Sequence, residues 1–173
     1  MKLAVPDPEA TLALGKSLGP LLFPGAVIAL IGPLGAGKTT FTRAVAEGLG
    51  VQNLAAVNSP TFTLIHEYPA RLPIYHFDAY RLATAEQFEG LGIQEYFAGD
   101  GVCFIEWADK FLESLPAERL EIHIERLSET ERRWELIAAG GKHDELLTRW
   151  LCVCGPTILN FDADLTGVSP VVE

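Results

Sequence analysis

Basic residues are scarce in this chain. Lysine and arginine number 13 against 23 aspartates and glutamates, a net charge of −10 over 173 residues. Tight direct binding to nucleic acid draws on a basic face that neutralises phosphates. The basic residues here are scattered, with Arg132-Arg133 the one adjacent pair, so strong direct nucleic-acid binding is not expected. Cysteine is equally rare. Of the three, Cys152 and Cys154 stand close together near the end. Three cannot all pair, and the spacing does not suggest a disulfide framework, so a reducing, cytoplasmic setting is expected. No apolar run approaches the about 20 residues that cross a bilayer. The segment from Met1 to Pro8 is short and is bracketed by Asp7 and Glu9, unlike a signal peptide. No membrane span is expected. The guanine-reading pattern Asn-Lys-x-Asp is also missing, which argues against a GTP-binding switch.

Apolar residues, by contrast, make up 49% of the chain, enough for a core at this length without staples. The most informative stretch is Gly32-Pro33-Leu34-Gly35-Ala36-Gly37-Lys38-Thr39, directly after the apolar run 26–31. This is a complete phosphate-binding loop, G-x-x-x-x-G-K-[ST], between a strand and a helix. Glycines let the backbone close around phosphate where side chains would collide. The amides opening the next helix face an anion, and the helix dipole favours it. Lys38 brings a positive charge to the β- and γ-phosphates, and the Thr39 hydroxyl suits a magnesium ion. Phe41, Ala44, Val45 and Leu49 then recur at helical spacing, with Gly48 and Gly50 as stop signals.

Asp7-Pro8 reads as a helix cap followed by a first-turn proline. Thr11, Leu14, Gly15, Leu18 and Leu22 share one face of that helix. Residues 58–68 begin as a hydroxyl-rich turn and end alternating like a strand. Further strands are expected over 74–77 and 102–105, with a helical stretch over 84–97 interrupted at Gly90-Leu91-Gly92. Residues 120–125 and 134–138 read as neighbouring antiparallel strands, and 144–152 as a helix. The alternation predicts a three-layer α/β fold: a mixed, mainly parallel sheet with antiparallel strands late in the chain. One domain is expected over 1–151, with 152–173 as a tail or extension.

A phosphate-binding loop needs a carboxylate at the end of another strand, to hold the metal or orient water. Two strands end this way, one in Asp78 and one in Glu106. In an open α/β sheet both would lie where ligands bind, beyond the carboxyl ends of the strands. Thr61 sits in Ser59-Pro60-Thr61, which reads either as an ordinary turn or as a segment that senses the γ-phosphate. His66, His76, His123 and His143 lack metal-ligand spacing, and His76 and His123 read as packing or surface residues within strands. Trp107 is open to two readings, a core residue or an exposed anchor for a partner.

Taken together, the motifs resemble one family. They are Gly32-x-Leu34-Gly35-Ala36-Gly37-Lys38-Thr39-Thr40, Ser59-Pro60-Thr61-Phe62-Thr63-Leu64, Tyr75-His76-Phe77-Asp78-x-Tyr80-Arg81-Leu82, Leu91-Gly92-Ile93-x-Glu95-Tyr96-Phe97 and Ile105-Glu106-Trp107. In this order and spacing the chain resembles the TsaE family, bacterial ATPases needed for threonylcarbamoyladenosine beside the tRNA anticodon. The resemblance covers about residues 11–138. It implies a P-loop ATPase that uses ATP and Mg2+. Nucleotide contacts would come from Gly32 to Thr40, Pro33 included, and from Thr11 and Thr61. Thr39, Glu106 and Asp78 would form the metal site, and Lys38, Asp78 and Glu106 the catalytic set. It also implies TsaD-like and TsaB-like subunits as partners. The chain departs from the family at Pro33, where an aspartate is common, and in the tail after Leu151. Two other readings compete: a small-molecule P-loop kinase, which would need a lid with several arginines, and a nucleotide-binding subunit with no significant turnover.

Overall fold

The computed structural model describes residues 1–158. Seven strands form one sheet: β1 (Lys2–Val5), β2 (Val27–Ile31), β3 (Ile65–Tyr68), β4 (Ile74–Asp78), β5 (Val102–Glu106), β6 (Arg119–Arg126) and β7 (Arg132–Ala139). Their order across the sheet is β1-β7-β6-β2-β5-β4-β3. The middle four, β6-β2-β5-β4, run parallel. Antiparallel strands flank them, β3 on β4 and then β7 and β1 beyond β6. This is the expected mixed, mainly parallel sheet with antiparallel β6 and β7. The helices are α1 (Pro8–Leu18), α2 (Lys38–Leu49), α3 (Ala85–Glu89), α4 (Ile93–Phe97) and α5 (Gly141–Ile158).

The central strand β2, Val-Ile-Ala-Leu-Ile, is apolar throughout because both its faces are covered. On one face lie α1, α2 and α5, packing Leu14, Leu18, Phe41, Val45 and Trp150 onto Ile28, Leu30, Phe104 and Ile122. Phe41 meets Trp134 edge to face, with ring centroids 5.0 Å apart. On the other face the short helices α3 and α4 carry Phe88 and Ile93 against Val27, Ala29, Phe77 and Ile105. Three layers result, as predicted, although the second helical layer is thin.

The Asp7 side chain caps α1, its carboxylate accepting from the Ala10 amide at 2.7 Å. Helix α2 ends at Gly50 in the left-handed conformation (φ 90°), which suits a residue without Cβ. Helices α1 and α2 approach so closely that a Cβ on Gly48 would lie 2.4 Å from the Lys16 carbonyl oxygen. That contact fixes α2, and hence the loop at its start, against the rest of the core. The predicted interruption at 90–92 is real: Gly92 takes φ 74° and separates α3 from α4.

Two features differ from the sequence reading. Strand β1 was not expected. Only four residues long, it owes its place to Leu3 and Val5, which are buried where β1 pairs with β7. Helix α5 starts at Gly141, before Asp144, and runs past Leu151, with non-helical backbone at Gly155 (φ 64°). Cys154 is buried in the core. The rest of the expected tail, from residue 159, lies outside the described residues.

The earlier start of α5 buries His143. Its Nε2 accepts from the Val27 amide at 3.2 Å, and its ring meets Phe23 edge-on. Burial pushes its pKa below the ordinary histidine value, Lys142 adds to this, and Glu118 and Asp144 oppose it. Below about pH 6.5 the unfolded chain takes up a proton that the folded ring resists, so stability is lost as pH falls through that value. The melting temperature is therefore expected to drop between about pH 7.5 and 5.5. His143→Gln, which keeps an acceptor but does not titrate, should flatten the slope in a thermal denaturation series.

Candidate functional site

The site forms where the parallel strands end. Beyond β2 the chain turns through Pro33 to Gly37, with the Ala36 amide donating to the Pro33 carbonyl at 3.2 Å. Gly32 must lack a side chain, since a Cβ there would lie 2.5 Å from the Ile124 carbonyl oxygen. Gly37, at φ 109°, leads into α2 and has open space above it: a Cβ there would meet nothing within 4 Å. From β7, Arg132 braces the outer side of the loop, its Nε donating to the Ala36 carbonyl at 3.0 Å.

Lys38 opens α2 and folds back over the loop. Its Nζ donates to the carbonyls of Gly32 (2.6 Å) and Pro33 (3.0 Å). The same ammonium lies 3.8 Å from the centre of the Trp107 ring, close enough for a cation–π contact. Trp107 reaches this position in the left-handed conformation (φ 61°), one of two non-glycine residues with positive φ among the described residues. Tyr80 packs on its ring, centroids 4.9 Å apart. Burial lowers the pKa of Lys38, while the charges of Glu106, Asp78 and Asp109 pull it back up.

The two predicted acids stand side by side. Asp78 and Glu106 are register partners at the ends of the parallel strands β4 and β5, and each is 3% exposed. Carboxylates this buried need partners. Glu106 Oε1 accepts from Thr39 Oγ1 at 2.7 Å and contacts His76 Nε2 at 2.8 Å. Asp78 Oδ2 accepts from the hydroxyls of Ser59 and Thr61, the latter at 2.8 Å, and its Oδ1 accepts from the Tyr80 amide at 2.9 Å. The Ser59–Thr61 turn is thus tied to Asp78, not an isolated turn.

These groups line a cleft of about 340 Å³, formed by residues 34–40 with Ser59, Thr61, Asp78, Tyr80, Glu106 and Trp107. Of the residues predicted for the site, Leu34, Gly35, Ala36, Gly37, Lys38, Thr39, Thr40, Thr61, Asp78 and Glu106 are brought together here. Gly32 and Pro33 form the root of the loop and offer their carbonyls to Lys38. Thr11 does not join them: it is buried on α1 and does not line this cleft.

Sequence reasoning missed three contributors. His76, read as a packing or surface residue, is fully buried and bonded to Glu106. Strand periodicity turns it inward, but only the pairing of β4 with β5 sets it diagonally beside Glu106. Trp107 is neither plain core nor a free anchor; it is the floor under Lys38. Arg132 comes from a strand remote in sequence.

The donor set is a threonine hydroxyl and two carboxylates, all hard oxygen ligands that suit Mg2+. Among the described residues there is no group of three or more His, Cys, Asp and Glu placed for a metal. Magnesium bound together with phosphates needs no such cage, since it usually takes one or two carboxylates and completes its shell with phosphate and water. An open loop at a helix N-terminus, one buried ammonium and this donor set fit a polyphosphate with its cation.

Residues 5–134 match the model of the family described as threonylcarbamoyl adenosine biosynthesis protein TsaE. The chain belongs to the TsaE family. The Bacillus subtilis tRNA threonylcarbamoyladenosine biosynthesis protein TsaE is 47% identical over 147 residues, 84% of this chain and 90% of that one. The Treponema pallidum TsaE is 43% identical over 124 residues, 72% and 90% of the two chains. The crystal structure of Bacillus subtilis YdiB superposes with a TM-score of 0.72 at 41% identity, over 87% of this chain and 93% of that one. The TsaE motifs read in the sequence fall at the cleft or directly behind it, except the Leu91–Phe97 segment, which forms α4.

Among the described residues, Lys38 is the sole cation lining the cleft. Lys38→Ala is therefore expected to reduce ATP affinity at least about 100-fold, on the scale of losing a charge-assisted contact in a buried site. Isothermal calorimetry with ATP measures this, and unchanged melting of the variant would show that the fold is intact.

Proposed function

We propose that this chain binds and hydrolyses ATP with Mg2+, as an accessory ATPase in threonylcarbamoyladenosine biosynthesis on tRNA, acting with TsaB-like and TsaD-like subunits. The observation that carries the reading is the meeting of Lys38, Thr39, Asp78 and Glu106 in one cleft at the start of α2. Family membership supplies the pathway.

In this reading the amides of residues 34–39 and the Lys38 ammonium bind the phosphate chain. Phosphate competes with the Gly32 and Pro33 carbonyls for Lys38, and its negative charge favours the protonated lysine that burial disfavours. Thr39, Glu106 and Asp78 would hold Mg2+, which when bound neutralises charge on the phosphate oxygens. Asp78, which lines the same cleft, would be the carboxylate that orients the attacking water and accepts its proton. Water adds to the γ-phosphorus, the bond to the β-phosphate oxygen breaks, and ADP and phosphate leave. Ser59 and Thr61 hold Asp78 in place and couple the 59–63 turn to whatever occupies the cleft. Among the described residues no arginine lines the cleft, so the lid expected of a small-molecule kinase finds no support in them.

Several apolar side chains at the cleft mouth face solvent. Leu34 is 78% exposed, Phe62 82% and Tyr80 50%, and Arg81 stacks on Phe62 at 4.2 Å. Exposed apolar groups gathered at one place mark an interaction face. The partner would cover the cleft there, over Trp107 and the 59–63 turn. The high acidity of the chain fits a role that reaches tRNA through partners and not by direct contact.

Two tests follow. Glu106→Ala and Asp78→Ala should each keep the fold and lower magnesium-dependent ATP hydrolysis by about 100-fold or more; phosphate release with the TsaB–TsaD pair measures it. Trp107→Ala should weaken association with that pair by about 10-fold or more, as loss of a central aromatic does. Gel filtration and calorimetry with the purified pair check this.

A further inference from the structure

His76 is not among the residues that line the cleft, yet it is wholly buried and in polar contact with one of the site's acids. Its Nε2 lies 2.8 Å from Glu106 Oε1, while its Nδ1 is buried with no hydrogen-bond partner. A phenylalanine or leucine would fill the same space between Tyr68 and the sheet without burying an unpaired nitrogen. Packing therefore does not account for histidine here. Both ring nitrogens are buried and the only one with a partner is turned to Glu106, so the polar part of the side chain serves that carboxylate.

Both hydrogen bonds to the Glu106 carboxylate from the described residues fall on one oxygen. Thr39 Oγ1 donates to Oε1 from the cleft side at 2.7 Å, and His76 meets Oε1 at 2.8 Å from within the sheet. Oε2 receives no hydrogen bond from the described residues. The two donors differ in what they are free to do. Thr39 lines the cleft, and its hydroxyl is itself an oxygen ligand suited to a cation. His76 is confined within β4, between β3 and β5. When Thr39 turns its oxygen to a cation, it can no longer donate to Glu106. His76 is then the donor left on Oε1.

We infer that His76 is a positioning residue: from behind the site it clamps Oε1 of Glu106, so that the carboxylate keeps its orientation for a cation while Thr39 changes partner. This rests on the reading of Glu106 as a magnesium ligand. A carboxylate held by one oxygen has lost the rotation that would otherwise be frozen on metal binding, so the clamp raises cation affinity by preorganisation. The clamp does not touch the phosphates. Its signature is a change in the magnesium dependence of nucleotide binding, separate from binding in the absence of the metal.

The test compares His76→Phe, which keeps ring volume without a donor, with His76→Gln, whose amide Nε can replace ring Nε2. His76→Asn is a milder polar variant whose amide lies near ring Nδ1, away from Glu106. ADP affinity is measured by calorimetry in EDTA and across a magnesium titration, with melting temperatures alongside. In EDTA all three should bind ADP within about 3-fold of the parent. With magnesium, His76→Phe and His76→Asn should need about 10-fold more cation for half-maximal enhancement, and His76→Gln should recover most of it. His76→Asn serves alone if His76→Phe does not fold. A parental magnesium profile in His76→Phe or His76→Asn overturns the clamp, as does an equal loss in EDTA and in magnesium, which would mark a merely structural role. Glu106→Gln separates this failure from that of the reading beneath it. If Glu106→Gln keeps the parental magnesium profile, the metal assignment falls and the clamp with it; if it loses the enhancement while the His76 variants do not, only the clamp falls.

Discussion

A lysine can be buried at the start of α2 because two carboxylates are buried beside it. Lys38, Asp78 and Glu106 are each under 5% exposed, and none would be stable alone at that depth. Their mutual field offsets part of the desolvation, and the rest is met by specific partners: loop carbonyls and the Trp107 ring for the lysine, hydroxyls, one amide and the His76 ring for the acids. Much of the surrounding architecture serves this balance. The parallel pairing of β4 with β5 sets the acids level with each other, and β2 between β5 and β6 delivers the loop opposite them. The close approach of α1 to α2 keeps the lysine from drifting.

The polar groups of the site are engaged with one another. Lys38 holds its own loop, Thr39 holds Glu106, and Ser59 and Thr61 hold Asp78. Under the proposed function, a nucleotide would bind by replacing contacts that already exist. The net affinity is the difference between two satisfied networks. The two residues with positive φ stand at the edges of these networks, Leu64 after the hydroxyl turn and Trp107 after Glu106. Backbone strain of this kind persists where the surroundings over-determine a conformation, and a ligand that rearranges those surroundings can release it. Under the proposed function, the 59–63 turn and Trp107 would be the parts placed to respond to a bound ligand.

Much of this was legible in the sequence, for identifiable reasons. The phosphate-binding loop is local, and its flanks declare a strand and a helix by period alone. Asp78 and Glu106 were legible because an apolar strand ending in an acid points to the sheet's carboxyl edge. Thr61 was ambiguous until family motifs were added, since a Ser-Pro-Thr turn has local reasons to exist. His76, Arg132 and the seat of Trp107 were illegible because each depends on register between strands distant in the chain. Strand β1 is too short to carry a period, and only its pairing with β7 makes it a strand. Thr11, carried over from the family resemblance alone, is buried on α1 and is not among the residues that line the cleft.

Pro33 shows how a local departure is absorbed. Proline removes one amide from a loop whose amides are its means of binding anions. In this loop, however, residue 33 works through its carbonyl. That oxygen accepts from the Ala36 amide to close the turn and from Lys38 to park the ammonium. Residue 33 also lies outside the cleft lining, which begins at Leu34. The lost donor is thus not one that faces the cleft, and the ring's fixed φ stiffens the turn that presents the others. Lys38 is held there by two neutral backbone carbonyls, contacts that do not depend on the side chain at residue 33.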